Sequence, residues 1–499
     1  MKQLLKKLIP DRMLSIYHFK LALLGALVFG FPSRKLRVIG VTGTKGKSTV
    51  VMLAGKILQE NITSPQPSPS KGEGEVFNPP TPLCVRGDEN GDFCESGQAE
   101  FAPLVKGGAG GLKNVGWISS LTINDGKNET MNPYHMTMPG RFFIQKTLAQ
   151  MIKNGCEYAL VEVTSEGIKQ HRHRFINWAG AAFTNLAAEH LEAHGGFENY
   201  RKAKEKLFAA AAKNEDSFGV YNLDDENVGE FLKYGIARKI GYGILNPPTP
   251  LCVRGDENGD FCESGQAEFI VKGGEEGLKN LRISNIQLSG SGSEFVINGV
   301  EFKTKFLGEF NIYNCAAAAA IGQVCGVPLK VAAQALAKIK SIPGRLEIID
   351  EGQDFTVVVD LAHTPDSFEQ VFRLFGELKQ NKIISVFGAA GGGRDKWKRP
   401  ELGRIASAYS DQVFITNEDP YEEDPLKIAD EILAGCDKSK TDIILDRRQA
   451  IARALSLARK GDIVLILGKG TEQTMVASDK KYDWDDRRVV REELKKIVH

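Results

Sequence analysis

At 499 residues, with 42% hydrophobic and 25% charged residues, the chain has a globular make-up and room for two or three domains. Lys and Arg number 64 against 63 Asp and Glu, so a whole-molecule field that would draw in nucleic acid or an anionic membrane is excluded. Eight cysteines without a C-x-x-C spacing point to reduced thiols in a cytosol.

In chain order, Lys2, Lys6 and Lys7 precede an apolar run at 21–31. The pattern is leader-like, yet the run is too short to span a membrane and leads within a few residues into a strand. Residues 1–37 are therefore expected to be a short helical segment packed on the next domain, with peripheral membrane contact as the alternative. Residues 38–49 read V-I-G-V-T-G-T-K-G-K-S-T. A β-branched strand at 38–41 meets a turn with Gly43 and Gly46, then Lys47 and Ser48 open a helical stretch at 50–60. Strand, glycine turn and helix start form a phosphate loop, whose backbone N–H groups and helix end attract phosphate. Lys47 would neutralise the β/γ-phosphates, and Ser48 would hold Mg²⁺. Val41 stands where the general pattern has glycine, so this is the shorter Gly43-x-x-Gly46-Lys47-Ser48 form.

Two stretches interrupt the order. Residues 78–101 and 246–269 are identical, rich in Pro, Gly, Ser, Asp and Glu, and without apolar period. They are expected to be disordered surface insertions, spanning 62–113 and 245–279. Removing them joins the helix at 50–60 to a strand at 117–121, and runs 240–243 into 281–283. The alternative is a zinc site on Cys84, Cys94, Cys252 and Cys262, whose C-x₉-C spacing is wide for zinc.

Further elements alternate: a helix at 141–154, a buried strand at 158–163 carrying Glu162, a strand at 181–184, and helices at 202–212, 311–325 and 331–339. After Pro343-Gly344-Arg345 come strands at 356–359, 382–387, 412–416 and 463–467. The fold class is α/β: a parallel-sheet ATPase domain at 38–342, then a Rossmann-like α/β domain at 343–499. Strand ends would present Lys47, Glu162 and His190 on one edge, where open α/β sheets bind ligands.

Several segments together resemble the Mur ligases, ATP-dependent amide-forming enzymes of peptidoglycan synthesis, and most closely the branch adding the third stem-peptide residue. The carrying motifs are T-G-T-K-G-K-S-T (42–49), V-E-V-T-S (161–165), T-N-L-A-A-E-H-L (184–191), Y-R-K-A-K-E-K-L-F (200–208), N-L-D-D-E (222–226), G-E-F-N-I-Y-N (308–314), P-G-R-L-E (343–347), V-D-L-A-H-T-P-D (359–366), F-G-A-A-G-G-G-R-D-K (387–396) and G-K-G-T-E (468–472). The resemblance implies an acyl-phosphate route from ATP and a UDP-muramoyl-peptide to an amide with a free amino acid. It implies ATP contacts at Thr42, Gly43, Thr44, Lys45, Gly46, Lys47, Ser48 and Thr49. Asn311, Asn314, Arg345, Asp360 and His363 would complete them, although cap and turn roles stay open for the Asn, Asp and His residues.

The resemblance also implies two Mg²⁺ sites on Ser48, Glu162, His190 and a carbamate of Lys204, with Lys47, Glu162, His190 and Lys204 catalytic. Lys202 and Lys206 neighbour Lys204, and residue pattern alone does not separate them. Thr137, Pro139, Thr164, Ser165, Gln170 and Arg172 would meet the muramoyl peptide. Asn417, Asp419 and Glu472 would meet the incoming amino acid. The implied setting is a cytoplasmic monomer without nucleic-acid partners.

Three departures stand out. Only about 37 residues precede the ATPase strand, where relatives carry a UDP-binding domain. Tyr421 replaces the arginine of the D-N-P-R motif that pairs with diaminopimelate, so that amino acid is not expected. Thr471 replaces the histidine of G-K-G-H-E. Two other readings are a folylpolyglutamate-synthase-like ligase and a non-catalytic nucleotide-binding scaffold.

Overall fold

The computed structural model describes residues 11–63, 114–134, 136–187, 189, 194–244, 278–478 and 480–498. His190, the four cysteines of the zinc alternative and the whole of both repeats lie outside these residues. Eleven strands form the first sheet: β1 (Arg37–Thr42), β2 (Val115–Ile118), β3 (Thr122–Asn124), β4 (Glu129–Met131), β5 (Tyr158–Glu162), β6 (Trp178–Phe183), β7 (Phe218–Asn222), β8 (Arg238–Gly243), β9 (Lys279–Ser289), β10 (Gly292–Ile297) and β11 (Val300–Thr304). Their order is β11-β10-β9-β8-β7-β6-β1-β5-β2-β3-β4.

β1 runs parallel between β5 and β6, with Val38 opposite Ala159 and Ile39 opposite Gly180. Parallel strands covered on both faces need apolar residues throughout, which is why V-I-G-V and Y-A-L-V carry no polar alternation. Successive residues face opposite layers. Ile39 and Val41 pack with Val50, Leu53 and Ile57 of the helix Lys47–Thr63 and with the alanine-rich helix Glu309–Val324. Val38 and Val161 pack with Leu148, Leu207 and Phe208 from the helices Arg141–Lys153 and Phe197–Ala211. The small alanine side chains let helix 309–324 lie close to helix 47–63, where Gly322 faces Ile57.

The second sheet contains β12 (Glu347–Ile349), β13 (Thr356–Asp360), β14 (Ile383–Phe387), β15 (Gln412–Ile415), β16 (Thr441–Ile443) and β17 (Ile463–Leu467), ordered β12-β13-β17-β14-β15-β16. All pairs are parallel except the edge pair β12–β13. A small hairpin, β18 (Thr474–Ala477) and β19 (Lys480–Asp483), follows. The α/β expectation holds, with large parallel sheets in both halves.

Some expectations are corrected. The helix after the glycine turn begins at Lys47, so Lys47 and Ser48 occupy its first turn, and it continues through Ile62 and Thr63. The expected insertion 62–113 therefore starts too early, and the one at 245–279 ends too late, because Lys279 opens β9. Segments 240–243 and 281–283 do not form one strand. β8 and β9 are parallel neighbours, Ile240 opposite Lys279 and Gly243 opposite Arg282.

The helix Asp11–Val28 packs on the helix Arg141–Lys153. Gly25 permits the approach: a Cβ there would meet Arg141 O at 3.5 Å.

Candidate active site

The C-terminal ends of β1, β5 and β6 open onto a cleft of about 670 Å³, closed on its other side by residues from the second sheet. The turn after β1 is shaped by two glycines. Gly46 has φ 79°, and a Cβ on it would lie 2.2 Å from Asn314 Oδ1. A Cβ on Gly43 would lie 2.0 Å from Thr184 Oγ1. Only glycine fits either position. Asn185 fastens the turn from β6, its carbonyl accepting from Thr44 N (2.8 Å) and its side chain from Lys45 N (2.9 Å).

Lys47 reaches back to Thr44 O (2.6 Å). Burial pushes its pKa down, Glu162 and Glu189 push it up, and Arg345 on the facing wall pushes it down again. Ser48 Oγ shares a hydrogen bond with Ser120 Oγ (2.7 Å), and Ser120 N donates to Glu162 Oε2 (2.6 Å). A hydroxyl and a buried carboxylate are thereby gathered at one strand edge, a hard oxygen set that suits Mg²⁺. Ser120 follows β2 within an unremarkable Ser-Ser pair and was not anticipated. Glu189 also lines the cleft and was overlooked beside His190. Among the described residues, no three His, Cys, Asp or Glu side chains are grouped to hold a metal.

Lys204 does not line the cleft. It is buried behind the turn, donating to Gly43 O (2.5 Å) and lying over the Tyr200 ring at 4.4 Å. Burial first, and then the charge of Lys47, hold its pKa well below the usual lysine range. Lys202 is exposed and Lys206 is not buried, which separates Lys204 from both neighbours. Thr42 and Gly43 also sit behind the cleft, whereas Thr44, Lys45, Gly46, Lys47, Ser48 and Thr49 line it.

Asn311 and Asn314 line the cleft from helix 309–324, tied to each other at 3.0 Å. Arg345, Asp360 and His363 come from the second half. Asp360 accepts from Leu346 N (2.8 Å) and Ala362 N (2.7 Å), and burial raises its pKa. Burial lowers the His363 pKa to about 4, and its Nδ1 faces Leu361 O at 2.8 Å. Across the opening, Lys45 pairs with Asp366.

The expected peptide contacts separate into two groups. Thr137 and Thr164 line the cleft. Pro139, Ser165, Gln170 and Arg172 lie outside its lining. Arg172 holds the 137–138 carbonyls and Gln170 Oε1 (2.6 Å), so it buttresses the Thr137 loop. Ser165 Oγ meets His194 Nε2 at 3.1 Å.

On the facing wall, Glu472 lines the cleft and accepts from Lys469 Nζ (2.7 Å), which also pairs with Asp419 (2.9 Å). Among the described residues Asn417 engages through its backbone, its carbonyl accepting from Arg447 Nη1 (3.2 Å). Arg447, fully buried, also holds Leu467 O (2.8 Å) and pairs with Asp486 (2.7 Å), locking the ends of β15 and β17 that carry Asn417 and Lys469. Nothing in the sequence patterns signalled that pair. Tyr421 packs against Gly392, outside the cleft lining.

A phosphate loop, an oxygen cluster beside it and an acid–base wall from a second α/β unit define an ATP-dependent acid–amino-acid ligase. The profile described as Mur ligase middle domain matches residues 112–322, and that described as Mur ligase, glutamate ligase domain, matches 344–470. The UDP-N-acetylmuramyl-tripeptide synthetase of Borreliella afzelii is 33% identical over 470 residues, 92% of this chain and 77% of its own. The UDP-N-acetylmuramoyl-L-alanyl-D-glutamate–2,6-diaminopimelate ligase of Syntrophomonas wolfei is 32% identical over 478 residues, 95% of this chain and 81% of its own.

The chain belongs to the Mur ligase family, whose members use ATP and Mg²⁺. Solved structures agree on the fold. A UDP-N-acetylmuramoyl-L-alanyl-D-glutamate–2,6-diaminopimelate ligase superposes with TM-score 0.54 at 24% identity, covering 93% of this chain and 79% of its own. Mycobacterium tuberculosis folylpolyglutamate synthase superposes with TM-score 0.60 at 14% identity, covering 96% and 94%.

Proposed function

We propose that the chain adds an amino acid to a UDP-N-acetylmuramoyl-dipeptide at the expense of ATP, as a cytoplasmic monomer of two domains meeting near Pro343. The observation that carries this reading is the shared cleft: the phosphate loop with Ser48, Ser120 and Glu162 on one wall, and Arg345 and Glu472 on the other. A carboxylate is a poor electrophile, so amide formation in water needs prior activation. The peptide carboxylate takes the γ-phosphoryl group, ADP leaves, and the incoming amine displaces phosphate through a tetrahedral intermediate.

Phosphoryl transfer asks chiefly for positioning and charge neutralisation. Lys47 and Arg345 supply fixed positive charge from opposite walls. Ser48 and Glu162, with His190, would hold the two Mg²⁺ ions, which neutralise phosphate charge when bound. Lys204 is read as the carbamate-forming lysine, since burial favours the neutral amine that reacts with CO₂. Glu472 and Asp419, bridged by Lys469, would meet the amine end of the amino acid. Arg172 and Gln170 act by holding the Thr137 loop against the peptide.

Diaminopimelate is not favoured, because Tyr421 offers no cation for its second carboxylate. The folylpolyglutamate alternative has a fold likeness at 14% identity behind it, against 33% identity to a UDP-N-acetylmuramyl-tripeptide synthetase. The scaffold alternative loses ground because Lys47, Ser48, Glu162, Arg345 and Glu472 all line one cleft. The test is ADP release with a muramoyl-dipeptide and, in turn, lysine, ornithine and diaminopimelate. Release that requires both acceptor components is expected; hydrolysis indifferent to them, or none with any pair, refutes the reading.

A further inference from the structure

The helix Asp11–Val28 buries one side and leaves the other uncovered. Ala22, Gly25 and Ala26 are buried, with Gly25 against Arg141 of helix 141–153. Met13, Ile16, Tyr17, Leu24, Leu27 and Val28 are 48–62% exposed. Spacings of three and four residues place these six side chains on one helix face. Exposed apolar residues are ordinary one at a time; a cluster of six on one face marks a docking surface, and Lys20, exposed at the centre of that face, can reach out of it with its charge.

Charge identifies the occupant. Residues 1–37 hold eight Lys and Arg and a single acid, Asp11, a net +7 within a chain of net +1. Lys20 is exposed on the helix, and Arg34 and Lys35 are exposed just beyond it. A second copy docked here would oppose two strongly basic segments. An anionic bilayer accepts both the apolar stripe and the positive charge. The helix has 18 residues, and no helix among the described residues is long and apolar enough to cross a membrane.

We propose that this helix is an interfacial anchor, lying in the headgroup layer of an anionic lipid bilayer with its apolar stripe inserted and its basic residues on lipid phosphates. The side of the helix opposite the stripe adjoins the turn bearing Gln170 and Arg172. Ser15 Oγ meets His171 Nε2 at 2.7 Å, and the Phe19 ring packs on His171 and Phe175. Docking therefore holds the turn bearing Gln170 and Arg172 near the lipid surface.

The test is flotation of the full chain with phosphatidylcholine vesicles, with and without phosphatidylglycerol, at low and high salt. Binding is expected on the anionic vesicles only and weaker in salt. An Ile16→Glu/Leu27→Glu variant should bind about tenfold or more weakly with its melting temperature unchanged, since each change removes a large inserted side chain. Lys20→Glu, away from any packed surface, should weaken binding severalfold and guards against a folding defect in the double variant. No flotation on anionic vesicles at low salt overturns the proposal, as does equal binding of neutral vesicles or of the variants. A dimer in sedimentation that the double variant abolishes, without flotation, assigns the face to a second copy instead.

Discussion

The two walls of the cleft are built on different terms. On the phosphate wall the important atoms belong to backbone or stand one bond network away from it: Gly43 and Gly46 make room, Asn185 fastens the turn, and Ser120 ties Ser48 to Glu162. On the facing wall the important atoms are charged side chains that hold one another, Lys469 between Asp419 and Glu472, and Arg447 on Asp486. A backbone cradle tolerates no substitution and suits a ligand that every member of the family shares. A side-chain network can be rewired one residue at a time, which would suit the proposed role of this wall in meeting the incoming amino acid.

The harshest test of that contrast is Gly46→Ala. Its Cβ has no space beside Asn314 Oδ1 and its φ is left-handed, so nucleotide binding should fall below detection in calorimetry while the melting temperature moves little. Retained binding would show that the cradle adapts as freely as the facing wall. Lys204→Ala should abolish turnover with the fold intact, and a short carboxylate added to the assay should restore part of it. Near-normal turnover would remove Lys204 from the chemistry.

On the facing wall, Asp486→Asn leaves the buried Arg447 guanidinium without its charge partner, and equilibrium unfolding should report a loss of about 3–5 kcal/mol. A loss under 1 kcal/mol would mean that the pair is not what locks β15 and β17.

A smaller effect, from the peptide side of the first wall, appears with pH. Burial holds the His173 imidazole at a pKa of about 3, below its ordinary 6.5, and its Nδ1 has no hydrogen-bond partner among the described residues. Between those values the unfolded chain takes a proton that the fold refuses. Stability should therefore fall as pH drops from 6.5 toward 3, by up to about 1.4 kcal/mol per pH unit from this group. His173→Phe should flatten that part of the profile in denaturant titrations at successive pH values. Least of all, Asp366→Asn removes an exposed pair with Lys45 across the cleft, and should change stability by under about 1 kcal/mol while raising the KM for ATP a fewfold.

Much of the first wall was legible because its chemistry is local. Gly43, Gly46, Lys47 and Ser48 lie within six residues, and strand, turn and helix start follow one another in the chain. The buried strand ending in Glu162 was equally plain, since a strand covered on both faces must be apolar until it reaches the edge. Lys204 was singled out by its motif, and burial then distinguished it from Lys202 and Lys206. Ser120, Glu189 and Asp366 were not found, for their meaning comes from partners far away in sequence. For the same reason residues 240–243 and 281–283 look continuous in the sequence until strand pairing sets β8 and β9 side by side.

The sequence by itself determined that a glycine turn running into a helix leads a parallel sheet and that a second α/β unit follows, because apolar periodicity and glycine placement are properties of neighbouring residues. Tertiary structure alone decided which lysine is buried behind the turn, that Arg172 supports a loop instead of lining the cleft, and which face of the first described helix is left bare. Those outcomes depend on desolvation and on contacts between distant segments, and neither exists until the chain has packed.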